Sequence, residues 1–314
     1  MKIAVVSMTY NDGYKLKEWK EHYCKYKNEI SHFVIVDNGS TPEYCDALRV
    51  TFPEAILIQR DINGGCTAAY NDGIQYVLDN TDDDAIAIIA NDMMLKEGCL
   101  KELYSYLFKN EKMGVVSAPV LNKNSDIVDN FGHTFHYLNV KNDYQGEKID
   151  NILNIEKETD LVSGGFYMAK RKFFEISGLQ DEKLFMYCDE LDTTLKARKN
   201  GFLIGVTSFT YAWHHHINPN STPQQRPPQT SFMISRNRIY IAKKYFGMFR
   251  ILCWFIYTGI LVPVWFGFWF LRSRKKMYLN YSRYSFLGAV YGLMGKMEAN
   301  KYSFPIQNEG GNKT

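Results

Sequence analysis

The sequence predicts an α/β protein built on a largely parallel sheet, on three observations. Short apolar runs rich in Ile, Val and Ala recur at Ile3–Met8, Phe33–Val36, Ala55–Ile58 and Ala85–Ile89. Stretches of helical character separate them. Turn formers close three of them, at Thr9 to Gly13, Asp37 to Ser40 and Asn91-Asp92. Strands that alternate with helices pair in parallel, because a parallel pair is joined by a crossover and not by a hairpin. Such a sheet binds ligands beyond the carboxyl ends of its strands. Thr9, Asn11, Asp37, Asn38, Asn91 and Asp92 therefore fall where a crevice is expected, although the same residue types also make ordinary turns.

Ile3–Met8 is too short and too apolar for a helix, and a lysine-rich helical stretch follows its turn as far as about Lys27. Phe33–Val36 is β-branched and ends at a turn. After Ala55–Ile58, a loop of small residues around Asn63-Gly64-Gly65-Cys66 leads into a helix from about Thr67 to Leu78. Asp82-Asp83-Asp84 precedes Ala85–Ile89 and reads as a solvated turn. Between 113 and 163, strands are expected near Gly114–Ser117 and His133–His136, with their pairing unassigned. Phe173–Gly178 reads as a short helix and its exit, and Glu190–Lys199 as a longer helix ended by Asn200-Gly201.

Ile251–Leu271 is a run of 21 residues in which Thr258 is the one conventional hydrogen-bonding side chain besides Tyr and Trp. That length crosses a bilayer. Pro263 could instead kink it into a re-entrant or interfacial hairpin, so a single crossing and a hairpin both stay open. The expected division is residues 1–245 as the α/β domain, 246–300 as a membrane-associated helical region and 301–314 as a flexible tail. The segment from Asn218 to Thr230, with four prolines, reads as a flexible loop.

The net charge of +3 hides an asymmetry. Residues 1–192 carry 20 Lys/Arg against 32 Asp/Glu, whereas residues 193–297 carry 15 Lys/Arg and no acid. A basic half attracts nucleic acid, anionic lipid or phosphorylated substrate. Basic residues on both sides of the apolar run, Arg250 before it and Arg272, Arg274, Lys275 and Lys276 after it, favour the anionic inner leaflet over nucleic acid. The six cysteines form no C-x-x-C pair, which points away from a zinc knuckle or disulfide framework and towards a reducing compartment. The N-terminus lacks the apolar stretch of a secretory signal, so the bulk of the chain is expected in the cytoplasm.

Four groups carry chemistry. Asp92, directly after a strand, can hold a hard divalent cation against a diphosphate. Asp189-Glu190-Leu191-Asp192 opens a helix; its dipole favours carboxylates there, but three beside Tyr187 exceed what capping needs, and a general base for a hydroxyl nucleophile is the chemical alternative. One of His214, His215 and His216 could complete a metal site with Asp92, although histidines in such a run are more often ordinary polar residues. The Asn63–Gly73 loop enters a helix N-terminus that can receive phosphate, yet it is neither G-x-G-x-x-G nor a Walker loop. The missing glycine fingerprint after the first strand also argues against a nicotinamide-dependent oxidoreductase.

Over about residues 1–245 the chain resembles the inverting, GT-A-fold glycosyltransferases of family 2, especially the bacterial rhamnosyltransferase-like branch. The resemblance rests on Thr9-Tyr10-Asn11, Val36-Asp37-Asn38-Gly39-Ser40, Asn63–Gly73, Asn91-Asp92 at the D-x-D position, and Ser163-Gly164-Gly165. It continues through Gly178–Glu182, Phe185-x-Tyr187-x-Asp189-Glu190-x-Asp192, Trp213-His214 and Arg236-Asn237-Arg238. It implies a GT-A sheet flanked by helices, and a metal-dependent transfer of a hexosyl or rhamnosyl group from a nucleotide-diphosphate sugar to a saccharide, with inversion.

Residue by residue, the resemblance puts Thr9, Asn11, Asp37, Asn63 and Asn91 at the nucleotide, with Asp37 reading the base. Gly164, Gly165, Tyr187 and Asp192 fall at the sugar and acceptor site. Mn²⁺ or Mg²⁺ falls to Asp92 and His214. Glu190 takes the position of the catalytic aspartate, and because the usual Glu-Asp order is inverted here, Asp189 and Glu190 both stay candidates for the base. The basic, aromatic C-terminal part places the site at the cytoplasmic face of the cell membrane, with a lipid-linked saccharide as acceptor in cell-surface polysaccharide synthesis. The single carboxylate at Asn91-Asp92 and the inverted pair also leave open a non-catalytic nucleotide-sugar-binding protein at the membrane. Donor sugar, linkage and oligomeric state are not legible.

Overall fold

The computed structural model describes residues 1–136, 140–215 and 227–304. Its centre is an eight-stranded sheet in the order Glu156–Glu158, Leu203–Thr207, Met113–Ser117, Phe166–Lys170, Ala85–Ile89, Ile3–Thr9, His32–Asp37 and Ile56–Gln59. The four N-terminal strands run parallel, with Thr9 beside Asp37 and Val6 beside Ile88. Phe166–Lys170 is antiparallel to both of its neighbours, and Glu156–Glu158 is antiparallel to Leu203–Thr207. The sheet is thus parallel in its N-terminal half and mixed beyond it, an α/β GT-A fold.

Alternation along each strand sorts side chains to the two faces. Ile3 and Val5 pack with Trp19, Tyr23, Leu48, Leu100 and Leu103 of helices Leu16–Tyr26, Pro42–Thr51 and Cys99–Lys109. Ala4 and Val6 pack with Ala69, Tyr70, Ile74 and Val77 of helix Gly65–Asn80, and with Phe173 of helix Arg171–Ser177. Each side chain the size of Ile74 or Leu103 contributes about 1.5–3 kcal/mol when buried. This two-sided core fixes the carboxyl ends of the parallel strands as one rim.

The strand expected near Gly114–Ser117 is Met113–Ser117 in the main sheet, and the one near His133–His136 is His133–Phe135, which pairs with Val140–Asn142 outside it. A smaller sheet of Met93–Leu95, Ala212–His214, Val120–Asn122 and Val128–Asn130 sets His214 opposite Met93, one residue beyond Asp92. His216, most of the expected proline-rich loop and the tail from 305 lie outside the described residues.

After helix Pro228–Tyr245, residues Met248–Ser273 form one 26-residue helix, the one described helix long and apolar enough to cross a membrane. Its middle turn, Ile256–Leu261, is π-helical, just before Pro263. In that register the carbonyl of Thr258 would take an N–H from residue 263, which proline lacks. Ser285 Oγ donates to that carbonyl at 2.9 Å instead. The chain reverses at Arg274, and helix Lys276–Met294 runs back along both Met248–Ser273 and Pro228–Tyr245. Past its end, the carbonyl of Met297 accepts from Arg236 Nη1 at 3.0 Å. The apolar segment therefore begins and ends its excursion on the same side, against the α/β body.

Candidate active site

The parallel strands deliver Thr9, Asp37 and Asn91-Asp92 to one rim. Thr9 Oγ1 is hydrogen-bonded with the Tyr44 hydroxyl and lies 3.4 Å from Asn91 Nδ2. Asp37 is fully buried; one of its oxygens accepts from the Ser40 N–H at 3.2 Å and the Cys45 thiol at 3.3 Å, while Oδ1 has no protein partner. A buried carboxylate oxygen without a partner carries a desolvation penalty that an N–H of a ligand relieves. Asn11 sits at φ +52° and ties the first loop to the second: its N–H donates to Ser40 Oγ and its Oδ1 accepts from the Thr41 N–H.

Asn63 is spent on shaping a loop. Its Oδ1 accepts from Asn38 Nδ2 and from the Gly65 N–H, both at 3.0 Å, and Asn38 Oδ1 accepts from the Gly64 N–H. Gly65 has φ +85°, and a Cβ there would lie 2.2 Å from the Phe185 carbonyl oxygen. The loop and the start of helix Gly65–Asn80 thus press directly on the segment that leads to Asp189-Glu190.

That segment is strained. Phe185 (φ +62°, ψ −60°) is the centre of a γ-turn closed by the Met186 N–H on the Leu184 carbonyl at 2.7 Å, and Tyr187 and Cys188 also have positive φ. Three non-glycine residues in such conformations cost about 1–3 kcal/mol each and persist only when their surroundings over-determine them. Here the agent is Asn237. Its fully buried Nδ2 donates to the carbonyls of Leu184, Met186 and Tyr187, each at 2.9 Å. Arg236, also buried, orients Asn237 Oδ1 and anchors to Met297.

The clamp presents two carboxyls at the first turn of helix Asp189–Lys199, hydrogen-bonded to each other. Burial, then the facing Asp189 charge, push the Glu190 carboxyl above the usual carboxylate range; burial raises Asp189 as well. Cys66 lies close enough that burial and Asp189 push its thiol up to about 12. Glu190 is the more exposed of the pair, and a Cβ on Gly164 would stand 3.2 Å from Glu190 Oε2. Gly165, at φ +73°, accepts the Ala90 N–H at 2.8 Å and so joins this pair to Asn91-Asp92.

Of the two other expected substrate residues, Asp192 is turned inward and Tyr187 is half-exposed. Asp192 is fully buried, and its carboxylate accepts from Lys244 at 2.8 Å, Tyr245 at 2.7 Å, Lys196 at 3.2 Å and the Asp181 N–H at 3.2 Å. With both oxygens occupied inside the protein, it locks helix Asp189–Lys199 to helix Pro228–Tyr245. Tyr187 contributes its carbonyl to the Asn237 clamp, while its hydroxyl lies 3.4 Å from Thr230 Oγ1.

Two residues past Ala90, Asp92 Oδ1 lies 3.3 Å from His214 Nε2. Two adjacent ligands of one octahedral ion stand roughly 3 Å apart, and a carboxylate with an imidazole suits Mn²⁺ or Mg²⁺. The residues present fit a divalent cation. Burial alone would raise the Asp92 carboxyl, but His214 and then Lys15 outweigh it and hold it well below the usual range. Lys15, which the sequence did not single out, places its ammonium 3.1 Å from both Asn91 Oδ1 and Asp92 Oδ2, and Asp12 accepts from Asn91 at 2.8 Å. Both stand in the loop after the first strand, but nothing distinguished Lys15 from its lysine-rich surroundings. Asn237 was likewise visible only as part of Arg236-Asn237-Arg238.

Residues 4–177 match the family model described as glycosyl transferase family 2. The low-salt glycan biosynthesis hexosyltransferase Agl10 of Haloferax volcanii is 22% identical over 294 residues, 90% of each chain. The dTDP-rhamnosyl transferase RfbF of Shigella flexneri is 25% identical over 207 residues, 65% of this chain and 66% of its own. Among solved structures, the mannosyltransferase PcManGT of Pyrobaculum calidifontis, in complex with GDP-Man and Mn²⁺, superposes with a TM-score of 0.57 at 13% identity, covering 94% of this chain and 87% of that one.

Proposed function

The chain belongs to glycosyl transferase family 2, and from that premise we propose that it transfers a sugar, with inversion, from a nucleotide-diphosphate donor to a lipid-linked saccharide at the cytoplasmic face of the membrane. The observation that carries this reading is the clamped Asp189-Glu190 pair beside Gly164, joined through the Gly165–Ala90 hydrogen bond to the turn that carries Asp92, with His214 beside it.

The nucleotide occupies the rim. Asp37 Oδ1 accepts an N–H of the base, Thr9 and Asn11 border the nucleoside, and Asn63 and Asn91 shape the walls. Gly164 and Gly165 leave room for the sugar and acceptor beside Glu190. The acceptor hydroxyl gives its proton to the Glu190 carboxylate as its oxygen bonds to the anomeric carbon. The bond from that carbon to the diphosphate breaks, and the nucleoside diphosphate leaves with the electron pair. Asp189, hydrogen-bonded to Glu190, helps decide where the pair's proton rests. Asp92 and His214 would hold Mn²⁺ or Mg²⁺, which when bound neutralises charge growing on the leaving diphosphate.

The membrane part is argued from the excursion of residues 248–294. Leu261, Val264, Trp265, Phe268 and Leu271 are exposed together, and Arg272, Arg274, Lys275 and Lys276 crowd its tip. A return helix packed on the α/β body favours a shallow interfacial hairpin over a single crossing. Residues 1–245 then form the catalytic domain.

The test is nucleotide release from a panel of nucleotide sugars, with Mn²⁺, Mg²⁺ or chelator, by wild type and Glu190→Gln. One donor should be turned over in a metal-dependent way, and Glu190→Gln should lose about 10²–10⁴-fold of the rate while still binding that donor. Equal rates for the two proteins would overturn the assignment of the base.

A further inference from the structure

Beside the crevice, on the far side of the strand that carries His214, three potential ligands converge. Glu18 and His22 are four residues apart on helix Leu16–Tyr26 and therefore share a face. His215 enters from the end of the Ala212–His214 strand, pointing opposite to His214. His215 Nδ1 bonds Glu18 Oε1, while His22 Nε2 stands 3.9 Å from the same oxygen, beyond hydrogen-bond reach. The two rings meet at 90° with centroids 5.1 Å apart, and one potential ligand atom from each residue lies within 4.8 Å of the other two.

Both imidazoles are at least 95% buried, and each keeps a nitrogen with no partner, Nδ1 of His22 and Nε2 of His215. Two buried histidines gathered around one carboxylate oxygen, only His215 hydrogen-bonded to it, are an expensive way to fill a core. We propose that Glu18, His22 and His215 form a second metal site, separate from Asp92 and His214, that takes Zn²⁺.

Two His and one Glu are a common zinc donor set, with ligands at about 2.0–2.2 Å, so that neighbours on a tetrahedral ion stand about 3.4 Å apart. Closing the cluster asks for side-chain shifts of about 1 Å. Lys123, half-exposed and 3.5 Å from Glu18 Oε1, is the cation that the ion displaces. The ion would act as a brace: the His215 N–H donates to the Asp92 carbonyl at 2.8 Å, so a metal here ties helix Leu16–Tyr26 to the turn that carries Asp92.

The experiment uses full-length chelator-treated Asp92→Asn protein, which removes the crevice site, and titrates Zn²⁺ alone with metal analysis and thermal unfolding as readouts. One Zn²⁺ per chain is expected, with a rise in Tm, and Glu18→Gln or His22→Asn in the same background should weaken binding at least 10-fold. Co²⁺ in place of Zn²⁺ should give visible absorption that both variants lose. The proposal is overturned if Asp92→Asn protein binds no Zn²⁺. It is equally overturned if Glu18→Gln, the variant least able to disturb folding, leaves affinity and the cobalt spectrum unchanged.

Discussion

Glu190 is a half-buried carboxyl pressed against a second, buried one, and that fixes how its activity should respond to pH. A base acts unprotonated, so kcat/KM should rise on an acid limb lying above about pH 4.3, the ordinary glutamate value. Asp189→Asn removes the neighbouring charge that helps raise Glu190, so a pH–rate profile of this variant should show the limb displaced to lower pH. Stability runs the other way. The folded chain holds the Glu190 proton more tightly than the unfolded chain, so stability is lost as pH climbs from the unfolded value through the folded one. Glu190→Gln should therefore unfold at a Tm roughly 2–5 °C higher than wild type at pH 8, with the gap closing toward pH 4. Asn237→Ala tests the clamp. It removes the side-chain donor to the carbonyls of Met186 and Tyr187 and one of the donors to that of Leu184, and should lower kcat about 10-fold or more, at a stability loss of about 2 kcal/mol in a denaturant titration.

At the scale of elements, the site depends on close approaches that single residues permit. Helix Gly65–Asn80 can touch the γ-turn at Phe185 because residue 65 has no Cβ and adopts φ +85°. Gly65→Ala should destabilise the protein by about 2 kcal/mol or more and depress activity through the displaced Asp189-Glu190 pair. The π-helical turn before Pro263 is a second such junction. Ser285→Ala leaves the Thr258 carbonyl without its donor, for an expected loss of about 1–3 kcal/mol by chemical unfolding in detergent. The helices Leu16–Tyr26, Gly65–Asn80 and Asp189–Lys199 and the first four strands were readable because each is encoded by residues a few positions apart. The strand Phe166–Lys170 was not, since five residues between a glycine pair and a helix carry no period long enough to recognise.

Across the whole molecule, the hairpin and the catalytic body are one structure, because helix Lys276–Met294 lies along helix Pro228–Tyr245 and Met297 closes on Arg236. Truncation would thus damage the active site itself, and membrane binding is better tested at the surface. Trp265→Glu with Phe268→Glu should release the protein from anionic liposomes in a sedimentation assay, while activity on a soluble acceptor persists. High salt should weaken binding of the wild type. By itself the sequence determined the α/β class, the rim residues Thr9, Asp37 and Asp92, the carboxyl pair and the apolar excursion, because turn chemistry, strand length and motif order are local properties. Tertiary structure alone decided that Asp192 is a strut, that Asn237 holds the strained turn, that Lys15 reaches Asp92 and that the apolar helix doubles back. These are contacts between residues about 40 to 80 positions apart, set by how helices and strands cross, and no local pattern of side chains encodes which of many buried polar groups will meet.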